Sequence, residues 1–148
     1  MKKFKTVLTA IVMLFTFSAF ATEPVKVSPA VKAAFSNDFS KANDVKWESS
    51  EGFYFASFTL NDVTVDAAYT EAGELVGTSR RIAKELMPLN VSLAVGAQYE
   101  GYEVGKSVIE LTYENVTRYY VTVSNSKETV SLKCYNNGDL DVERKTKK

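Results

Sequence analysis

One apolar stripe is written twice in this chain, and that duplication limits the fold more than any other feature. Val31, Phe35 and Phe39 recur at i, i+4 and i+8, and Val91, Val95 and Tyr99 repeat the pattern 60 residues later. That spacing puts each trio on one side of a helix. Ser28-Pro29 supplies an N-cap and a first-turn proline for the first helix, which is expected to run to about Lys41. Leu86-Met87-Pro88 opens the second, which closes at Glu100-Gly101 and is weakened by Gly96.

Strand-like runs follow each helix. After the first come Val45–Trp47, Phe53–Leu60, Val63–Tyr69 and Glu74–Ile82, with Asn61-Asp62 as a hairpin turn. After the second come Val104–Tyr113, Tyr119–Val123 and Val130–Tyr135. Tyr119-Tyr120-Val121-Thr122-Val123 matches Tyr54-Phe55-Ala56-Ser57-Phe58, and Tyr135 to Leu140 echoes Tyr69 to Leu75 with one residue fewer. A unit of one helix and four strands is too small to bury much core alone. The expected architecture is therefore α+β: two tandem α-β4 units forming a continuous antiparallel sheet, with the helices packed on one face.

Residues 1–21 look like an export leader. Lys2, Lys3 and Lys5 precede an apolar run from Val7 to Phe17, and Ala19-Phe20-Ala21 fits a cleavage site. The run is shorter than the roughly 20 residues a membrane-spanning helix needs. The only cysteine, Cys134, lies far from the new N-terminus, so lipid attachment there is excluded and no stable membrane insertion is expected after cleavage. The expected destination is the periplasm or the medium. The remaining domains are residues 22–82 and 83–148, the second ending in a short basic tail.

Charge changes with the leader gone. The whole chain has 18 basic and 18 acidic residues, but the mature chain keeps 15 basic against 18 acidic. Arg144, Lys145, Lys147 and Lys148 crowd the tail, so the body has 11 basic against 18 acidic residues. An acidic body argues against nucleic acid as a partner. The tail itself reads as a frayed, solvated terminus.

Catalysis finds little support. The chain has no histidine, hence neither the commonest general base nor the commonest zinc ligand. One cysteine excludes an internal disulfide and a CxxC pair, and Cys134 sits on a strand beside Val130 and Leu132 as a buried structural thiol would. The carboxylate pairs Asp62/Asp66 and Glu71/Glu74 fall at turns and strand ends, and Asp139/Asp141 is too few for calcium. No catalytic, cofactor-binding or metal-binding residue is assigned, and no cofactor is expected.

Aromatic residues carry the remaining signal. Strand alternation puts Tyr54, Ala56, Phe58 and Leu60 on one face and Phe53 and Phe55 on the other. With the Tyr54 face against the helix, Phe53 and Phe55 point to the open side. Tyr120 takes the same phase in the second half, with Tyr113 nearby. These four residues are the expected binding face for an unidentified protein or peptide, an exposed aromatic patch rimmed by charge. A small-ligand carrier is the alternative reading.

The stretches Ser28–Phe39, Asp44–Glu48, Gly52–Phe58 and Tyr69–Leu75, with Pro88–Tyr102 and Tyr119–Leu140 in the second half, resemble the PepSY-like, β-lactamase-inhibitor-like periplasmic proteins of Bacteroides-group bacteria. The resemblance implies two tandem α/β units, a concave antiparallel sheet backed by helices, export, and binding or inhibition of a protein such as a peptidase. Its motifs are packing and turn residues, which point to a fold and not to a named partner.

Overall fold

The computed structural model describes residues 24–148; the expected leader lies outside the described residues. The order is α1 (Pro29–Asp38), β1 (Asn43–Ser50), β2 (Phe53–Leu60), β3 (Val63–Thr70), β4 (Leu75–Ala83), a 3-10 turn (Lys84–Leu86) and α2 (Leu89–Gln98). Then follow β5 (Glu103–Val104), β6 (Ser107–Tyr113), β7 (Val116–Ser124), β8 (Glu128–Tyr135) and β9 (Leu140–Lys147). The hydrogen-bonded order is β1-β2-β3-β4-β6-β7-β8-β9, with β5 pairing β7. Among the described residues, the α+β architecture of two α-helices with an open antiparallel sheet is thus present. Two compact units divide the chain: one runs to Leu60 and resumes over Asp66–Val76, and the other takes Asn61–Val65 and Gly77–Lys148.

In the first unit Ser28 caps α1, its Oγ accepting from the Val31 amide at 3.3 Å, with Pro29 in the first turn. The helix stops at Asp38, three residues before the expected end, where the Phe39 amide donates back to the Phe35 carbonyl. Phe35 is the hub of the core: its ring centroid lies 5.0 Å from Phe58, 5.1 Å from Trp47 and 6.4 Å from Tyr69. Edge-on ring packing of this kind adds to the burial energy. Phe58 against Phe35 fixes the helix-facing phase of β2, so Phe53 and Phe55 lie on the other face.

The second unit rests on aliphatic packing. Val91 and Val95 of α2 meet Val121, Val123, Leu132 and Cys134, all at most 1% exposed. These contacts set the phase of every neighbouring strand. Tyr119 faces the helix and Tyr120 does not.

Three expectations need correction. The run Val104–Tyr113 is not one strand. Val104 pairs with Val123 and Ile109 with Tyr120, five steps against three, so two residues bulge out and break it into β5 and β6. The basic tail is not frayed: β9 pairs with β8 as far as Lys147, and Lys145 Nζ sits 2.9 Å from Glu128 Oε1. The ladder satisfies backbone groups that a free tail would leave to water.

The repeat register also shifts. The Thr70 amide donates to the Glu74 carbonyl, and the Tyr135 amide donates to Asp139 in the same way. Gly73 and Gly138 then take matching left-handed conformations, φ 84° and 92°. Thr70 therefore corresponds to Tyr135, and Tyr69 to Cys134. The two turns have equal length, and the two tyrosines fall on opposite faces of their strands.

Candidate functional site

In the second unit, the sheet face turned away from α2 is built in rows by strand register. Each row runs across β4, β6, β7 and β8 through directly opposed residues, which share a face. Ser79, Leu111, Arg118 and Tyr135 make one row. On one side of it lie Arg81, Ile109, Tyr120 and Lys133, with Asp141 of β9 opposite Lys133. On the other side lie Gly77, Tyr113 and Val116.

Tyr113 and Tyr120 are therefore brought onto one face, with Arg118 between them. Their exposure departs from expectation: Tyr113 is only 6% exposed, while Tyr120 is half-buried. Gly77 lies directly opposite Tyr113: a Cβ there would stand 2.7 Å from the Thr112 carbonyl oxygen, so the close approach of β4 to β6 beside the ring requires glycine. Burial pushes both phenols up from their ordinary pKa. The Arg118 charge acts on both in the opposite direction, which places it close to each.

Phe53 and Phe55 belong to the first unit. Phe53 is half-buried and Phe55 is 6% exposed, so Phe55 is not an exposed contact residue either. Counting from the Asn61-Asp62 turn, whose residues both have positive φ, Phe55 falls opposite Ala68, which is small enough for the ring to cover it. Beside it the Ser57 hydroxyl donates to Asp66 Oδ1.

Sequence reasoning missed Arg118, Lys133 and Tyr135. The Tyr135 hydroxyl donates to Asp141 Oδ2 at 2.7 Å, and Lys133 Nζ lies 5.6 Å from the Tyr135 ring centroid and 3.6 Å from Glu143 Oε1. Arg118 differs from these. Its Nε and Nη1 are buried and have no hydrogen-bond partner, and neither has the Ser79 Oγ two strands away in the same row. Arg80, by contrast, donates from Nε to Glu110 Oε1 at 2.6 Å. The alternation that singled out Tyr120 was the available signal for Arg118.

The turns at Asn115 and Asn137 meet around one end of this face. Between them lies an open depression of about 340 Å³ lined by Asn115, Val116, Thr117, Tyr135, Asn136 and Asn137. On the helix side, Leu86, Leu89 and Leu93 are 61–71% exposed, which forms a separate apolar strip.

Cys134 is fully buried, and desolvation raises its thiol pKa to about 12. A nucleophile needs the opposite shift. Among the described residues no group of three His, Cys, Asp or Glu side chains could hold a metal ion. No helix among them is long and apolar enough to cross a membrane.

No family model matches the sequence, and no curated protein does. Solved structures do share the fold. A Bacteroides eggerthii protein assigned provisionally to the periplasm superposes with TM-score 0.70 at 16% identity, over 83% of this chain and 90% of that one. A BLIP-like protein from Bacteroides fragilis gives 0.68 at 22%, over 83% and 87%. A DUF2874 family protein from Bacteroides uniformis gives 0.69 at 20%, over 82% and 90%. Identities this low carry the fold alone.

Proposed function

We propose that this chain is an exported, non-enzymatic binding module that presents the sheet face of its second unit to a protein or peptide. The observation that carries the reading is the row arrangement: Tyr135 stands opposite Arg118, Tyr120 occupies the next row on the same face, and Tyr135 also lines the depression between the Asn115 and Asn137 turns. Tyrosine and arginine on a rigid strand scaffold are the side chains that dominate binding hot spots. Tyr113 and Leu111 supply the buried floor. The BLIP-like and periplasmic descriptions of the structural neighbours agree with export and with a binding role. Within that role, inhibition of a secreted enzyme is the finer form of the proposal.

The test is affinity capture from a periplasmic extract with three forms of the protein. Tyr120→Ser with Tyr135→Ser is expected to lose the partner that the wild type retains, at an unchanged melting temperature. Leu89→Ser with Leu93→Ser, on the helix strip, is expected to retain it. The reverse pattern would move the binding surface to α2 and refute the assignment. A ligand of low mass seen by native mass spectrometry on the purified wild type would favour a carrier instead.

A further inference from the structure

Among the described residues, the Arg118 guanidinium is the one cation on the face of the second unit whose buried nitrogens find no acceptor. Arginine cannot shed its proton at any ordinary pH, so burial cannot neutralise it as it would a lysine. A buried donor left unpaired forfeits its hydration with nothing in return, and a charged donor forfeits more. Natural sheets have cheaper residues for such a position, and in the second unit Leu111, directly opposite, is one of them. The fully buried Ser79 hydroxyl repeats the anomaly in the same row.

We infer that Arg118 is the receptor for a carboxylate, contributed by an Asp or Glu side chain within an extended peptide segment that crosses this face. This rests on the reading of the face as the binding surface and names the chemistry of what it binds. Charge complementarity supports the assignment. The body carries an acidic excess, yet its Arg81, Arg118 and Lys133 gather on this face by register with Ile109, Leu111 and Tyr120, and Arg144 of the basic tail joins them opposite Ser131.

The same neighbourhood sets the size of the charge. Glu143 lies 3.6 Å from Lys133, and Asp141 accepts from Tyr135. A phosphate dianion would meet both carboxylates, whereas a single carboxylate is balanced by Arg118 alone. Position along the chain follows from the rows. Tyr120 and Lys133 lie on one side of Arg118 and Tyr113 and Val116 on the other, so a segment that continues in both directions covers both flanks. A chain end would leave one flank bare. The carboxylate reaches the covered nitrogens by a rotamer change of a neighbouring tyrosine, a common adjustment on binding. Charge-assisted bonds to the carboxylate then replace the missing acceptors.

The experiment uses the full chain and four probes: an acetylated, amidated heptapeptide with a central glutamate between alanines and valines, its glutamine counterpart, the same peptide with its only carboxylate at a free C-terminus, and inorganic phosphate. The readouts are the Arg118 Nε–H resonance and the peptide titration. The glutamate peptide is expected to shift that resonance and to bind roughly tenfold more tightly than the glutamine peptide. Arg118→Gln should bring the two peptides level, and Arg118→Lys should keep part of the preference; both should melt no lower than the wild type.

Equal binding of the glutamate and glutamine peptides, or no shift at Arg118 with millimolar peptide, overturns the inference. So does phosphate or the free C-terminus titrating Arg118 as tightly as the internal glutamate. In the capture assay, a partner retained by Arg118→Gln but lost by the Tyr120/Tyr135 double variant would sink the carboxylate receptor and leave the binding face standing. Retention by both would sink the face itself.

Discussion

The Tyr69 hydroxyl donates a 2.8 Å hydrogen bond to Asp38 Oδ2 and so ties the end of β3 to the last residue of α1. Burial first, and Asp38 second, push the phenol above its ordinary pKa of 10.0. The folded protein therefore favours the neutral ring, while the unfolded chain ionises near the ordinary value. This contribution to stability is complete below that pH and is lost as pH rises through and beyond it. Urea unfolding followed from about pH 8 to 11 should show stability falling at the alkaline end. Tyr69→Phe should cost about 1–2 kcal/mol at neutral pH and fall less steeply in alkali. A variant with the wild-type alkaline slope would contradict this.

Cys134 holds the place in the second unit that Tyr69 holds in the first, fully buried against α2. With the thiol pushed up to about 12 by desolvation, the thiolate is scarce in the folded state. A disulfide reagent at about pH 8 should label the unfolded chain readily and the native chain only at the rate of unfolding. Cys134→Ser should cost about 1–3 kcal/mol more than Cys134→Ala, because the hydroxyl enters an apolar cluster with no partner. Native labelling as fast as in denaturant would show that the cluster is open.

The helices and the faces of β2 and β7 were legible in the sequence because a spacing of four and an alternation of two are set by local geometry alone. Phe58 and Tyr119 face their helices as that alternation requires. Register between repeats was not legible. Matching Tyr69 to Tyr135 by identity slipped the second strand by one residue, and one residue flips a side chain to the other face. That slip hid Tyr135 from the sheet face that carries Arg118 and Tyr120. Arg118 was hidden differently: a charged residue on a strand reads as solvated, whereas its Nε and Nη1 are buried. The ring of Phe55 was read as exposed because alternation gives a direction and says nothing of what lies alongside.

Gly73 and Gly96 should respond oppositely to alanine. At Gly73, φ is +84° and a Cβ would stand 2.8 Å from the Ala30 carbonyl oxygen, which is backbone and cannot swing aside. Gly73→Ala should destabilise the first unit by about 2 kcal/mol or more through strain and lost approach of the turn to α1. Gly96 lies inside α2 with nothing within 4 Å of a built Cβ, so Gly96→Ala should stabilise by about 1 kcal/mol. Chemical denaturation of both variants checks the pair. A loss at position 96 would mean that the helix relies on glycine there for some purpose other than packing.

Arg118→Met separates a residue kept for the fold from one kept for a ligand. Methionine retains the long apolar stem beside Leu111 and removes a charge whose Nε and Nη1 have no partner. Replacing a half-buried charge that has two buried, unpartnered nitrogens with an apolar side chain of similar length is expected to leave stability unchanged or raise it by about 1–2 kcal/mol. Arg80 is the control, since its guanidinium is paired with Glu110 and half-exposed. Arg80→Met should lose at most about 1 kcal/mol. Thermal and urea unfolding of the two variants gives the comparison directly. If Arg118→Met instead loses well over 1 kcal/mol, the guanidinium is a structural group with acceptors of its own in solution, and the face has no vacancy for a carboxylate.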